Sequence, residues 1–496
     1  MNIVLINPPY IFSKRSDIVF PQCLGLLYIS ALLIKEKHHV VIIDSLWEGR
    51  NNITSFADGS VKVGLNNHEI IARVHENTEL IGLSVPFSHF APHAHVLVAD
   101  LKRALPSIPI VMGGVFPSTQ PELAMTSEAD YFILGEGEVS MSKLADCFTS
   151  KSFESLPAGV ISKCDVNASQ KASPQYVRDV DEIPFPQREL LEFEKYVAIS
   201  PRNQRGWRTA SILSSRGCPY DCEFCSVHPV CGYKWRPRSA KNVLCEIDSL
   251  IDQYKVNHFE IEDDNFSFNK ERTIEILEGI IERNSRSKTG EIAWSTPNGI
   301  RIDTLDEKVM EVISRSNCLA ISIALEHGDG DVLKIMRKKL SLEKVEKITS
   351  FAHKYNISTN IFIIYGYPGE SRERFERALV FYSHLKKIAP KINFLFFLAQ
   401  PYPGTKLYER CLKEGYIEED FFNSIEKVSR FSTASTCWIN TPDFDKEELL
   451  RREKELIKTL NPTKHFVNRF KDILPEQLIP YGRLLFHTGK KVLRSS

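Results

Sequence analysis

Cys218, Cys222 and Cys225 fall within eight residues, in the run Ser215-Arg216-Gly217-Cys218-Pro219-Tyr220-Asp221-Cys222-Glu223-Phe224-Cys225. Thiolates are the ligands of iron–sulfur clusters, and an ordinary [4Fe–4S] carrier uses four of them so that every iron is capped. Three in one short loop can hold three irons of a cube and leave the fourth open to another ligand. An open iron turns a redox cluster into a reaction centre. Zinc fits the spacing less well, because zinc sites usually repeat a C-x2-C pair at a distance and no second pair occurs. Cys231 lies close enough to complete a four-thiol set, although its six-residue gap matches no common ferredoxin spacing. A disulfide framework belongs to small secreted domains, not to a chain of 496 residues with scattered cysteines.

Such a loop needs a scaffold, and the length allows two or three domains. Apolar residues make up 43% of the chain and charged residues 25%, as in soluble globular proteins. Lys plus Arg and Asp plus Glu both number 63, so the overall charge gives no sign of a nucleic-acid surface. The eleven cysteines are an odd number, which argues for reduced thiols and a cytoplasmic setting. Cys245 and Cys318 sit in apolar patterns and read as buried structural thiols. The start, Met1 to Pro9, reads as a short buried strand and lacks the basic region and cleavage site of a signal peptide. The longest apolar run, Leu24 to Ile34, is short of the ~20 residues that span a bilayer.

The first ~150 residues alternate apolar strands with helical patterns. Strands are expected at 2–6, 40–44, 80–85, 109–112 and 131–134, and helices at 24–37, 93–104 and 139–148. Strands apolar throughout, separated by helices, predict a parallel sheet covered on both faces. Ligands of such sheets lie beyond the carboxyl ends of the strands. Turn residues mark those ends: Asn7-Pro8-Pro9, Ser84-Val85-Pro86, Gly113-Gly114 and Gly135-Glu136-Gly137-Glu138. Prolines and charges then make 151–205 a connector.

From 206 to 410 a second alternation predicts a partial barrel of six strand–helix units. Strands are expected at 209–214, 258–262, 292–295, 320–325, 359–365 and 393–398. The cysteine loop follows the first of them, at the mouth where barrel sites gather. Other strand ends there carry Glu262-Asp263-Asp264-Asn265, Pro297-Asn298-Gly299-Ile300-Arg301, Glu326 and Gly366-Tyr367-Pro368-Gly369-Glu370. Residues 411–496 read as helical, with Leu449, Leu450, Leu456, Ile457 and Leu460 on one charged helix that would pack as a cap. The tail Arg483–Arg494 is basic and apolar by turns; it reads either as packed or frayed chain, or as peripheral contact with an anionic membrane.

The spacing C-x3-C-x-aromatic-C resembles the motif of the radical S-adenosylmethionine (radical SAM) enzymes. The resemblance implies that Cys218, Cys222 and Cys225 hold a [4Fe–4S] cluster and that SAM chelates the open iron. A reduced cluster would cleave SAM to an adenosyl radical that removes hydrogen from an unactivated carbon. It places Phe224 and the acidic run Glu262, Asp263 and Asp264 at SAM, the run at its amino group, with Glu326 at the ribose and Gly366 near the adenine. The amino-terminal half is similar to the cobalamin-binding domain of a large radical SAM subset, an α/β, Rossmann-like (flavodoxin-like) fold. Matching pieces are Asn7-Pro8-Pro9-Tyr10, Leu24-Gly25-Leu26-Leu27-Tyr28, Gly113-Gly114-Val115-Phe116-Pro117 and Gly135-Glu136-Gly137-Glu138. That match implies cobalamin contacts from Asn7, Pro8, Pro9, Ser84, Val85, Gly113, Gly114, Gly135, Glu136 and Gly137. The D-x-H-x-x-G motif that supplies a histidine to cobalt elsewhere is absent. His89, His93 and His95 follow the third strand and read as solvated residues at a helix start rather than cobalt ligands.

Within the family, Gly232 to Ser239 and Pro297 to Arg301 look most like the branch containing the anaerobic magnesium-protoporphyrin ring cyclase and many methyltransferases. The basic run Lys234–Arg238 reads as a solvated loop or a grip on an anionic substrate. The resemblance implies a cobalamin-dependent methyltransferase acting on a carbon of a small-molecule or lipid substrate. An external one-electron donor such as flavodoxin or ferredoxin would feed it. A second expectation keeps both cofactors without methyl transfer, as in cyclisation, ring contraction or oxygen insertion. A third, an RNA methylthiotransferase, would need three cysteines in the first domain, where only Cys23 and Cys147 precede residue 150.

Overall fold

The structure is a computed structural model that describes residues 1–57, 59–165, 173–198, 206–286, 291–418 and 437–460. Its first sheet consists of β1 (Asn2–Asn7), β2 (His39–Asp44), β3 (Leu80–Ser84), β4 (Ile110–Gly113), β5 (Tyr131–Ile133) and β6 (Val160–Ser162). The order is β2-β1-β3-β4-β5-β6. All neighbours are parallel except β6, which runs antiparallel to β5. Ile3 to Ile6 are all buried, because helices cover both faces of β1. One face carries α1 (Leu24–Lys35) and α3 (Gly137–Ser150), and the other α2 (Ala91–Ala104). β6 lies in the predicted connector; three residues are too short to show a periodicity.

The second sheet is β7 (Thr209–Ile212), β8 (His258–Ile261), β9 (Ala293–Ile300), β10 (Cys318–Glu326), β11 (Thr359–Tyr365) and β12 (Asn393–Leu398), all parallel and in sequential order. Its outer face is covered by α4 (Ala240–Tyr254), α5 (Lys270–Arg286), α6 (Glu307–Arg315), α7 (Leu342–Lys354) and α8 (Arg372–Ile388). Ser239, Asp306, Ser341 and Ser371 cap four of these helices by accepting backbone N–H groups. β9 runs through Pro297 and Gly299 to Ile300, past the predicted end, by shifting register against β10.

Beyond the barrel, α9 (Lys446–Leu460) buries Leu449, Leu456 and Leu460, as its pattern predicts, and also Arg452. The basic tail Arg483–Arg494 lies outside the described residues. Among those described, no helix is long and apolar enough to cross a membrane. All eleven cysteines are free, but Cys245 is exposed, contrary to expectation: it sits on the outer side of α4, away from the buried Val243, Glu246 and Ile247.

Candidate active site

The cysteine loop leaves β7 through a turn that Asp263 braces. Asp263 accepts from the Ser214 N–H and Oγ, both at 2.6 Å, and from Ser215 Oγ at 2.5 Å. Gly217 follows with φ 76°, and a Cβ there would meet Lys234 O at 2.5 Å and Cys231 O at 2.8 Å. Only glycine fits this approach. On the far side, the Glu223 N–H donates to Met336 O at 3.0 Å, and Tyr367 OH to the Glu223 carboxylate at 2.6 Å. Arg301 stacks 3.5 Å over the Tyr220 ring and donates to Cys222 Sγ at 3.5 Å. Burial pushes Cys225 up to about 12 and raises Cys218, so deprotonation here calls for a metal's charge.

The thiol spacing discriminates between metals. Two thiolates on one zinc stand less than about 4.6 Å apart, since each Zn–S bond is ~2.3 Å. Among the described residues, only Glu36, His38 and Asp146 form a group of three whose ligand atoms all lie within 4.8 Å of one another. At least one pair of the three loop thiols is therefore wider than that, which suits ligands on separate irons.

The residues assigned to SAM surround this loop, and several are engaged with protein. Asp263 holds the turn. Glu262 accepts from Ser211 Oγ at 3.3 Å. Asp264 accepts from the Gly217 N–H at 3.3 Å, and burial, helped by Asp263, pushes its carboxyl up to about 6. Glu326 has the left-handed φ of 71° and pairs with the buried Lys338 at 2.8 Å. Phe224 packs edge-on to Tyr367, with the Lys338 ammonium 5.9 Å from its ring. Gly366, φ 70°, is glycine because Leu398 and Leu449 pack there: a Cβ would come within 2.9 Å of Leu398 and 2.8 Å of Leu449. Its N–H donates to Glu370 at 2.6 Å. Glu370 also meets His327 Nε2 at 2.9 Å and Arg452 Nη1 at 3.1 Å. Since His327 Nδ1 accepts from the Asp329 N–H, its Nε2 carries the proton donated to Glu370. Sequence reasoning missed Lys338, His327 and Arg452. The one visible signal was Arg452 itself, a charge on the apolar face of α9.

A cavity of about 300 Å³ opens at the carboxyl ends of the first sheet, under α1 and α3. Leu5, Leu83, Val111, Ile133 and Met141 give it apolar walls, and Ser84, Gly113, Gly114, Gly135, Glu136 and Gly137 border it. A Cβ on Gly25 would meet nothing within 4 Å, and one on Gly113 only Ile133 at 3.8 Å, so both glycines face open space that a cofactor could fill. Asn7, Pro8, Pro9 and Val85 are not among its walls. Asn7 instead donates to the buried Asp44 at 2.8 Å. Barrel residues Leu213, Ser215, Arg216, Val230, Cys231 and Asp264 complete the cavity.

The two domains are joined at that wall by buried ion pairs. Arg236 binds Glu136 through two bonds of 2.7 and 2.6 Å, and the same carboxylate accepts from the Val177 N–H at 2.6 Å. Arg216 binds Glu138 at 2.6 Å and lies over the Tyr28 ring. Arg238 pairs with the buried Glu246. Within the basic run Arg236 and Arg238 are thus neither solvated nor free to grip a substrate, because protein carboxylates hold them, while Lys234 is exposed. The three histidines are half-buried rather than freely solvated: burial lowers all three, holding His89 and His95 at about 4. His89 borders a second cavity, of about 600 Å³, between Tyr10, Phe12, Phe87 and Phe90 of the first domain and Thr209, Ser211, Glu260, Glu262 and Asn298 of the barrel.

The model of the Radical SAM superfamily matches residues 212–382, and that of the B12 binding domain residues 21–145. The chain thus carries a radical SAM domain preceded by a B12-binding domain. As such it is an enzyme whose cofactors are a [4Fe–4S] cluster, SAM and cobalamin. An uncharacterised methyltransferase of Pyrococcus horikoshii is 28% identical over 83% of each chain. The cytidylyl-2-hydroxyethylphosphonate methyltransferase of Streptomyces wedmorensis is 26% identical over 84% of this chain and 83% of its own. The solved cobalamin-dependent SAM radical enzyme OxsB, with aqua-cobalamin and SAM bound, shares the fold at a TM-score of 0.72 and 16% identity, over 99% of this chain and 71% of its own.

Proposed function

We propose that this enzyme is a cobalamin-dependent methyltransferase acting on an unactivated carbon of a small molecule or lipid. The carrying observation is the shared wall: the glycine-lined cavity of the first domain is closed by Ser215 and Arg216 and by Val230 and Cys231, which flank the loop that bears Cys218, Cys222 and Cys225. Bound there, the cluster with SAM supplies hydrogen-abstracting radical chemistry, and cobalamin supplies a methyl carrier. The names of both methyltransferase relatives support the methyl step.

The chain's own residues divide the remaining work. Cys218, Cys222 and Cys225 would hold the cluster, with Arg301 donating to Cys222 Sγ. Asp263 already accepts three hydrogen bonds, so contact with the SAM ammonium falls to Glu262 and Asp264. Lys338 orients Glu326 toward the ribose, and Phe224 backs the cluster loop. Gly25 and Gly113, whose Cβ directions are open, would let the corrinoid approach the backbone, with Ser84 beside them, whereas Gly114, Gly135 and Gly137 are glycine because Val85, Gln175 and Ile29 crowd them. The second cavity, with its aromatic side on the first domain, would take the substrate and keep water from the reacting carbon.

The test is anaerobic incubation of the reconstituted enzyme with methyl-labelled SAM and a small-molecule and lipid extract of its source cells. Label appearing on a carbon only when cobalamin is present supports the reading. Turnover to 5′-deoxyadenosine without transferred label would point to radical chemistry of the non-methylating kind.

A further inference from the structure

The cavity of about 600 Å³ between the domains has two unlike sides. On the first domain, Tyr10, Phe12, Phe87 and Phe90 form a continuous aromatic cluster. Ring centroids stand 6.2 Å apart for Tyr10–Phe12, 4.6 Å for Tyr10–Phe90 and 5.6 Å for Phe87–Phe90. Phe87 is 51% exposed, a large apolar ring left uncovered at the cavity wall. His89 stacks on it and, held at about 4 by burial, adds no charge near neutral pH. On the barrel side, side chains alternate across β7 and β8. Ala210, Ile212, Phe259 and Ile261 pack into the core beneath the helices. Thr209, Ser211, Glu260 and Glu262 therefore face the other way and line the cavity. Glu260 lies beside Ser211 in the strand register and is 7% exposed. The exposed Asp17 also lines the cavity, with Lys14 3.9 Å from it. Among the described residues, no lysine or arginine is part of the wall.

We infer that this cavity takes a substrate with an aromatic or apolar body and a cationic amine, the body against the first-domain rings and the amine at Glu260. The inference rests on the reading of the cavity as the substrate site and names the class of molecule that fits it. Glu262 is assigned to the SAM ammonium, and Glu260 lies two residues earlier on the same face of the strand. An ammonium gains charge-assisted hydrogen bonds from a carboxylate and is attracted by the faces of aromatic rings. An anionic head group would instead meet two carboxylates and no cation of the wall, at low exposure, where charges act strongly. A cavity made for phosphate or carboxylate would present arginine or lysine. A hydroxyl in place of the amine could still hydrogen-bond but would forgo both charge interactions.

The experiment uses the holoenzyme loaded with cluster, cobalamin and SAM, left unreduced so that nothing turns over. Three probes share one shape and differ in charge: 2-phenylethylamine, 2-phenylethanol and 3-phenylpropionate. Equilibrium binding followed by calorimetry should rank the amine tightest, at least tenfold over the alcohol, with the propionate weakest. Glu260→Gln keeps the side chain's shape and should bring the amine down to the alcohol while the alcohol's Kd holds. Phe87→Ala, a change at an exposed ring, should weaken amine and alcohol by a similar factor, and it keeps the site testable if the Glu260 variant does not fold. An amine that fails to bind, or an alcohol or propionate that binds as tightly, would overturn the inference. If those equal affinities still fell in Phe87→Ala, the cavity would stand as the site and the amine class alone would be lost. An amine preference indifferent to both substitutions would place the probe elsewhere and overturn the cavity reading as well. No readout here requires methyl transfer, so absence of label from methyl-labelled SAM would refute that activity separately.

Discussion

The two strand-end faces of this enzyme are prepared for their cofactors by opposite means. In the first domain the face is bare. Glycines border it, Asn7 turns away to Asp44, and Glu136 and Glu138 turn to barrel arginines, so that an apolar cavity remains. At the barrel mouth the face is crowded with charge: Asp263, Glu326 and Glu370 each hold a neighbouring segment through buried hydrogen bonds or ion pairs. One face binds by leaving space and the other by fixing a loop, and the charged residues of both mostly hold backbone in place. Polar residues at strand ends are thus poor guides to ligand contact unless their partners are known.

The sharpest break of that comparison comes from the cluster loop. Cys222→Ala should reduce iron content and abolish 5′-deoxyadenosine formation, while aquacobalamin still binds, as iron assay and absorption titration would show. Filling the bare face should do the converse. Gly25→Leu places a side chain in open space, so corrinoid affinity should fall at least 100-fold with iron content unchanged.

Arg236→Met tests the joint between the faces. It leaves Glu136 with the Val177 N–H and with Arg216 at 3.6 Å, so it should cost about 3 kcal/mol, the low end for loss of one partner of a buried pair, seen as a lower denaturation midpoint. A smaller effect is expected at Glu246. Burial opposes its ionisation, but Arg188 and Arg238 outweigh that and hold the carboxyl below its usual range. Its stabilising contribution is therefore present above the ordinary glutamate pKa and lost as pH falls through the depressed one. Glu246→Gln should flatten the acid limb of a stability–pH curve. Least affected should be Cys231→Ser: Cys231 walls the cavity at the end of the first sheet, so iron per chain should stay the same.

Much of the fold was legible because parallel strands buried on both faces are apolar throughout, as in Ile3–Ile6, and because caps such as Ser239 and Ser341 punctuate the helices. β6 was hidden by its brevity, and the far end of β9 by Pro297 and Gly299, which ordinarily stop a strand. The proposed cluster loop stands out in the sequence because its three cysteines lie within eight residues. Lys338, His327 and Arg452 do not, since each acts through a partner distant in sequence, and periodicity carries no information on such pairs. The basic run Lys234–Arg238 misled for the same reason: Glu136 lies 100 residues from Arg236.

The central claim is that three thiolates anchor an iron–sulfur cube and leave one iron for SAM. Electron paramagnetic resonance of the anaerobically reconstituted, reduced protein tests it most directly. The account predicts a [4Fe–4S]⁺ signal that changes shape when SAM is added. A signal indifferent to SAM, or a protein that carries zinc in place of iron, would contradict it.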